Sequence, residues 1–451
     1  MEPVMASRIT NLLSYGQQRS PRYTSYPTAP HFHEGVTGAV YGDWLDTLDR
    51  GKPISLYLHV PYCKSLCWYC GCNTRATTQD GPIEAYLKVL LKELALVADR
   101  LPGRMRVSHL ALGGGTPAIL NPDQMDRLMA AIYDRFEFEE GAERAIEIDP
   151  RHFSKDDAQA LARNGFTRAS TGVQSFDPAV QRAINRIQPY EVVEASFNRL
   201  REAGVMKINA DLLYGLPLQT ADSARASAEA AAALNPDRLA VFGYAHVPHM
   251  KSHQRLIKDE ALPGAKARLA QADAMEHALI ECGYALIGID HYARPDDPMA
   301  QALENGTLRR NFQGYTTDKA DTLIALGASA IGRTPHGYVQ NRSDVRSWMQ
   351  YVEAGRLPVG KGVEVTREDA MRAAIIEQVM TYLRVDPEAV AALYDRPAPQ
   401  ADLDDLVRSG VVSVEGGVIT VNPAYRPLAR LVAAAFDGYL ATGAARHSVS
   451  V

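Results

Sequence analysis

From Ile54 onward the chain alternates between two kinds of segment. Short apolar runs at 54–60, 107–112, 145–148, 168–173, 205–213, 238–244 and 285–289 are separated by stretches of helical length at 83–100, 122–136, 154–164, 192–203, 221–234 and 265–281. Apolar runs this short read as buried strands, and strands that alternate with helices are joined by right-handed crossovers into a parallel sheet. The expectation is an α/β fold built as a partial (β/α)6-type barrel, whose ligand-handling residues sit at the C-terminal ends of the strands. The residues with chemical character obey that rule. A cysteine loop follows the first strand, Gly113-Gly114-Gly115-Thr116-Pro117 follows the second, and Glu147-Ile148-Asp149-Pro150-Arg151 ends the third.

Cys63, Cys67 and Cys70 stand in the pattern C-x3-C-x2-C with Cys72 just beyond, so four of the five cysteines fall within ten residues. Three thiolates on one short loop can bind three irons of a cubane cluster and leave the fourth iron open to a small chelating molecule. A structural zinc site usually pairs two knuckles across a longer spacer or ends in a histidine pair, and neither pattern is present. Zinc and a redox dithiol nevertheless stay open as alternatives on spacing alone. Cys72 is open between a fourth ligand, a free thiol and a redox partner of Cys70.

The length of 451 residues leaves room for a large domain and a smaller one. A net charge of −5 gives no reason to expect nucleic acid or an acidic membrane surface as the main partner. No run of about 18 apolar residues suggests a membrane span, and residues 1–16 lack the layout of an export signal. The expected location is cytoplasmic, where thiolates stay reduced. Residues 21–28, PRYTSYPT, suit an extended ordered arm, with a plain surface linker as the alternative. Beyond residue 360 the pattern turns helical at 367–383 and 402–409, passes two short strands around Glu415-Gly416-Gly417, and ends in a helix at 427–440. That order is winged-helix-like, but Asp402, Asp404 and Asp405 make the helix before the hairpin acidic, which favours a lid or packing role over DNA binding. The expected division is an N-terminal arm over the active site at 1–53, a barrel domain with a substrate-side extension at 54–360, and a smaller, mainly helical domain at 361–451.

Two motifs are set aside. Residues 355–361, GRLPVGK, match most of a P-loop, but Gly362 replaces the hydroxyl residue that would hold magnesium and no strand leads in. His246, His249 and His253 lack a completing carboxylate at a recognisable spacing and read as surface or pocket-lining residues. The glycine triplet can bring backbone close to a charged amino-acid moiety. Glu147 can accept from a ribose hydroxyl or an amino group, and Gln174, Arg186 and Asp211 fall at or beyond later strand ends, as a pocket lining would.

Taken together, these residues resemble the radical SAM superfamily and, within it, the oxygen-independent coproporphyrinogen III oxidases. The resemblance rests on residues 21–28 (PRYTSYPT), 57–63 (YLHVPYC), the C-x3-C-x2-C-x-C loop, 113–117 (GGGTP), 147–151 (EIDPR), 172–174 (GVQ), 211–217 (DLLYGLP) and 310–317 (RNFQGYTT). It implies a 4Fe-4S cluster on Cys63, Cys67 and Cys70, with Cys72 outside the ligand set, and two molecules of S-adenosylmethionine. Tyr57, Tyr69, Gly114, Glu147 and Ile331 match contacts to the first molecule; Gly115, Thr116, Gln174, Arg186, Asp211 and Ala245 match contacts to the second. Tyr69 takes a place where relatives often carry phenylalanine, and the residues after Ile331 differ in character from those of relatives. No catalytic side chain is assigned, because the radical is carried by S-adenosylmethionine. The implied reaction turns two propionates of coproporphyrinogen III into vinyl groups, giving protoporphyrinogen IX in haem biosynthesis, with a reductant such as flavodoxin, an unidentified electron acceptor and a monomeric enzyme. A substrate with several carboxylates calls for guanidinium groups, and Arg22 and Arg310 are offered as clamps. The rivals are a haem chaperone or haem-degrading relative on the same scaffold, and a zinc-containing structural protein.

Overall fold

The structure, a computed structural model, describes residues 2–18 and 20–440. Its main sheet has twelve strands: β1 (Ile54–Val60), β2 (Arg106–Gly114), β3 (Glu137–Ile148), β4 (Arg168–Gln174), β5 (Lys207–Tyr214), β6 (Arg238–Gly243), β7 (Ala285–Ile287), β8 (His291–Ala293), β9 (Thr322–Leu326), β10 (Ile331–Thr334), β11 (Gly337–Asn341) and β12 (Val359–Glu364). They lie in the order β12-β11-β10-β9-β1-β2-β3-β4-β5-β6-β8-β7. The run from β9 through β1 to β6 is parallel throughout, and both flanks are antiparallel.

Local chemistry sets the crossovers. Asn121 with Gln124, Ser154 with Asp157, and Thr220 with Ser223 form capping boxes at the starts of helices Pro122–Arg135, Lys155–Arg163 and Ala221–Ala233. Helix Tyr190–Ala203 stops at Gly204, which takes the left-handed conformation. Strand β1 is buried along its length apart from Tyr57, as a central parallel strand covered on both faces must be.

Three expectations change. Residues 285–289 do not begin another crossover: β7 is three residues long and joins β6 through the antiparallel strand β8. The strand beside β1 on its other edge is β9, which the alternation did not reveal. Residue 360 falls inside β12, so the main sheet extends to Glu364. This strand also contains the end of the P-loop look-alike, which is preceded by the helix Val345–Glu353 and not by a strand.

The segment before β1 is more structured than a simple arm. Helix Gly38–Asp46 buries Tyr41, Trp44 and Leu45 in the main core. Helix Glu2–Gly16 contributes Leu12 to a second core, and residues 21–28 add Tyr23 and Tyr26 to it, so the surface-linker alternative fails. Most of that second core comes from the other end of the chain, with Met371, Ile375, Val379 and Leu428 among its members. There, helices Arg367–Tyr382, Pro387–Leu393 and Asp404–Arg408 surround a small sheet of β13 (Arg384–Val385), β14 (Val412–Glu415) and β15 (Val418–Val421) in the order β13-β15-β14. The helix expected at 427–440 is a 3-10 turn, Pro423–Leu428, followed by Ala429–Ala434, with Pro427 interrupting the regular pattern. Residues 441–451 of the expected C-terminal domain lie outside the described residues.

A buried carboxylate braces the sheet beneath the site. Glu93, in helix Asp80–Ala98, accepts hydrogen bonds from Gly327 N–H at 2.7 Å, Asn341 Nδ2 at 2.6 Å and Trp348 Nε1 at 3.0 Å. Nearby, the Tyr86 hydroxyl donates to the His59 carbonyl at 2.8 Å and accepts from Ala328 N–H at 2.9 Å. Glu93→Ala leaves three buried donors without their acceptor, and the expected loss is about 3 kcal/mol. A lower urea midpoint for cluster-free protein checks this; an unchanged midpoint contradicts it.

Candidate active site

The cysteine loop leaves the end of β1 and is closed on itself and against its neighbours by backbone hydrogen bonds. Arg75 N–H donates to the Pro61 carbonyl at 2.9 Å and Thr77 N–H to that of Cys63 at 2.8 Å, which closes the loop at its base. Gly115 N–H donates to Val60 at 2.9 Å and Thr116 N–H to Tyr62 at 2.8 Å, tying the glycine turn to the residues just before Cys63. The far side is held by distant segments. Trp68 N–H reaches Ile184 at 3.0 Å, Asn185 Nδ2 reaches the Leu66 carbonyl at 2.9 Å, Gln254 Nε2 that of Tyr69 at 3.0 Å, His253 Nε2 that of Cys70 at 2.7 Å, and Lys251 Nζ that of Cys72 at 2.9 Å. His253 thus positions the loop, whereas His246 bridges the Tyr244 hydroxyl and Asp259, and His249 is exposed.

The donor set fits an iron–sulfur cluster. Cys63, Cys67 and Cys70 are free thiols, and Arg186 Nη1 and Arg151 Nη2 point at Cys67 Sγ from 3.4 and 3.6 Å, ready to offset thiolate charge. Among the described residues no three His, Cys, Asp or Glu side chains are gathered tightly enough to share one metal ion. A cubane does not require that, since each thiolate takes its own iron. Asp149 completes the charge balance. Burial works against its ionised form, but Arg186 and Arg151 outweigh it and hold the carboxyl well below the usual range.

Around the loop the strand ends present their polar groups. Gly114 has φ +114°, and a Cβ there would lie 2.5 Å from the His59 ring, so only glycine fits. Its N–H donates to Glu147 Oε2 at 3.1 Å. His59 Nε2 lies 3.0 Å from the Asn73 carbonyl, which can only accept. The other ring nitrogen therefore accepts, and Tyr57 donates its hydroxyl proton to Nδ1 at 3.0 Å. Gln174 ends β4 with φ +69°, Asp211 on β5 accepts from the Ser170 hydroxyl at 3.2 Å, and Ala245 follows β6. Tyr69 packs with Trp68 against Val180, Ile184 and Leu216. Ile331, on β10, belongs to an apolar cluster with Phe32, Tyr338 and Val363.

Comparison with known proteins places the chain in a family. The Radical SAM superfamily matches residues 57–231. The oxygen-independent coproporphyrinogen III oxidase of Bradyrhizobium diazoefficiens is 48% identical over 445 residues, covering 97% of this chain and 99% of that protein. The enzyme of the same name from Paracoccus denitrificans is 40% identical over 96% of this chain and 97% of its own length. A solved structure of coproporphyrinogen III oxidase from Escherichia coli, described as a radical SAM enzyme, superposes with a TM-score of 0.87 at 37% identity, covering 94% of this chain and 100% of that one. The chain belongs to the oxygen-independent coproporphyrinogen III oxidases. It is a radical SAM enzyme with that family's fold.

The two arginines expected at the substrate are placed differently. Arg310 donates through Nη1 to the Tyr23 carbonyl and through Nη2 to that of Arg22 at 3.0 Å, so it holds the arm and leaves only Nε unpartnered. Arg22 keeps an exposed side chain. Spacing in sequence did not single out Asp149, Arg151, Lys251 or Gln254. The first two lie inside the EIDPR motif and carried a signal, whereas Lys251 and Gln254 act from about 180 residues away on loop carbonyls and left none; His253, read with His246 and His249 as a surface or pocket-lining residue, acts on the same loop.

Burial, and then repulsion from Asp211, push Glu147 up to about 7, and burial pushes Asp211 up to about 6. A carboxylate that receives an amino group or hydroxyl acts in its ionised form. The affinity of the cluster-loaded enzyme for S-adenosylmethionine is therefore expected to fall as pH drops through about 7, and Glu147→Gln to bind weakly with that dependence gone; titration calorimetry from pH 8 to pH 6 checks both. Cys67→Ser is expected to lose cluster iron and Cys72→Ser to keep it. Iron and sulfide analysis decides this, and equal loss in both contradicts the ligand assignment.

Proposed function

We infer that the chain carries out the oxygen-independent oxidative decarboxylation of two propionate side chains of coproporphyrinogen III, giving protoporphyrinogen IX in haem biosynthesis. The observation that carries this is the end-to-end similarity to oxidases of that name, 48% identical across 97% of the chain. In this reading Cys63, Cys67 and Cys70 hold a 4Fe-4S cluster, and Cys72 stays free. Bound there, the cluster and S-adenosylmethionine would supply the one-electron hydrogen-abstraction chemistry that turning a propionate into a vinyl group, with loss of carbon dioxide and one electron, requires.

The chain's own residues bind and enclose. Tyr57, Tyr69, Gly114, Glu147 and Ile331 receive one molecule of S-adenosylmethionine; Gly115, Thr116, Gln174, Arg186, Asp211 and Ala245 receive the second. The amides of Gly115 and Thr116 are already engaged by Val60 and Tyr62, and Thr116 Oγ1 accepts from Asp149 N–H at 3.0 Å. What this turn offers a ligand is therefore its carbonyls and the Thr116 hydroxyl proton. Residues 21–28, with Tyr23 bonded to Asp437 at 2.9 Å and Tyr26 accepting from Gly438 N–H at 2.9 Å, roof the site and exclude water. Residues 367–440 form a winged-helix-like module that serves packing and cover. No helix among the described residues is long and apolar enough to cross a membrane. The enzyme works in this reading as a cytoplasmic monomer, with a one-electron reductant such as flavodoxin and a separate electron acceptor.

Anaerobic incubation with coproporphyrinogen III, S-adenosylmethionine and a reductant should yield a porphyrinogen lighter by two molecules of carbon dioxide and two of hydrogen, together with 5′-deoxyadenosine. Mass analysis reads both products. Tight haem binding without vinyl product points to the chaperone alternative.

A further inference from the structure

Beside β6, between residues 21–28 and the C-terminal module, lies a cavity of about 240 Å³. Six arginines reach its wall, Arg8, Arg22, Arg268, Arg310, Arg426 and Arg430, against three carboxylates, Asp273, Glu276 and Asp290. Those carboxylates already have partners. Asp273 is bound by both terminal nitrogens of Arg8 at 3.0 Å, Glu276 accepts from the Tyr292 hydroxyl at 3.3 Å, and Asp290 lies 2.7 Å from His291 Nδ1.

Two of the remaining cations bury nitrogens that meet no hydrogen-bond partner. Arg426 buries Nε and Nη1 without a hydrogen-bond partner, as Arg310 does Nε. Arg268, in the first turn of helix Ala265–Glu281, has no ion pair among the described residues; burial pushes its guanidinium down, and so does the neighbouring charge of Arg22. Arg430 is pushed down to about 10, by burial first and then by Arg22. The place of Arg268 is built, not accidental. A Cβ at Gly215 would collide with its Nη1, one at Gly243 would come within 3.1 Å of its Nη2, and its guanidinium carbon lies 5.5 Å from the centre of the Tyr214 ring. Buried guanidinium groups short of counter-charge favour a ligand that brings anions. Ala245, which follows β6, lines the same cavity, so it adjoins the strand-end site.

We propose that Arg268 and Arg426, with Arg22 at the mouth, form the site that receives propionate carboxylates of a tetracarboxylate tetrapyrrole. This rests on the proposed reaction and adds residues from the helix Ala265–Glu281 and the C-terminal module that no spacing rule indicated. Planar guanidinium forks suit carboxylates, which each can grip through two parallel N–H···O bonds. Arg310 takes part through the arm it anchors and not as a clamp.

The test uses the cluster-loaded enzyme under anaerobic conditions with two readouts: the KM for coproporphyrinogen III, and equilibrium ultrafiltration with coproporphyrin III or its tetramethyl ester. Arg268→Gln is expected to raise the KM and weaken coproporphyrin III binding by about tenfold or more, with iron content and S-adenosylmethionine affinity unchanged, and Arg268→Lys to recover part of the loss. Binding of the uncharged tetraester should be the same in wild type and variant. Unchanged KM and binding in Arg268→Gln overturn the proposal, as does equal weakening for the tetraester, which a purely structural role predicts. Should that variant fail to fold, Arg22→Gln, on an exposed side chain, decides: weaker tetraacid binding alone supports the site, and unchanged binding overturns it. A wild-type enzyme that binds the tetraacid tightly and forms no vinyl product would overturn the proposed reaction and leave this site standing.

Discussion

Two backbone hydrogen bonds, from Gly115 to Val60 and from Thr116 to Tyr62, keep the cysteine loop where the parallel strands end. They extend the β1–β2 ladder past its last paired residues, so a rigid buried sheet sets the position of an otherwise irregular loop. The glycines make this possible. At Gly114 the chain turns with positive φ against the His59 ring, and its amide meets Glu147 at the end of the next strand. One turn therefore joins the first three strand ends into a single polar surface, and the second layer of support, His59 between Tyr57 and Asn73, fixes the orientation of the side chains on it.

Strands β1 to β6 were legible from their apolar runs, and their C-terminal ends fell within two residues of the expected ones, but β3 begins at Glu137, eight residues before the expected start, because its first half is polar and partly exposed. The same logic failed at Ala285–Ile287, where an apolar run is equally compatible with an antiparallel edge. It also missed Thr322–Leu326, because pairing with Ile54–Leu58 depends on contacts far apart in sequence that no local period announces. Helix Glu2–Gly16 escaped for a similar reason: the apolar cluster that takes in Leu12 is built mostly from residues beyond 370.

The site divides in the same way. Glu147 and Gln174 stand at or next to strand ends, a local property that can be read from the sequence, whereas Asp211 lies inside β5, three residues before its end. Residues that reach in from elsewhere could not be read in that way. Arg310 looked like a ligand clamp, yet its guanidinium bonds to main-chain carbonyls of the arm, and residue type alone does not distinguish a cation that binds an anion from one that braces a loop. Arg268 and Arg426 lie in segments with no motif, and only their shared cavity gives them meaning.

The second core joins Leu12, Tyr23 and Tyr26 to Met371, Ile375 and Phe436. During synthesis the early helix is made long before the segments that bury it, while the sheet between them can assemble from neighbours close in sequence. The chamber's ceiling is thus the last part to close, and a growing chain cannot seal its catalytic space until nearly all of the polypeptide has left the ribosome.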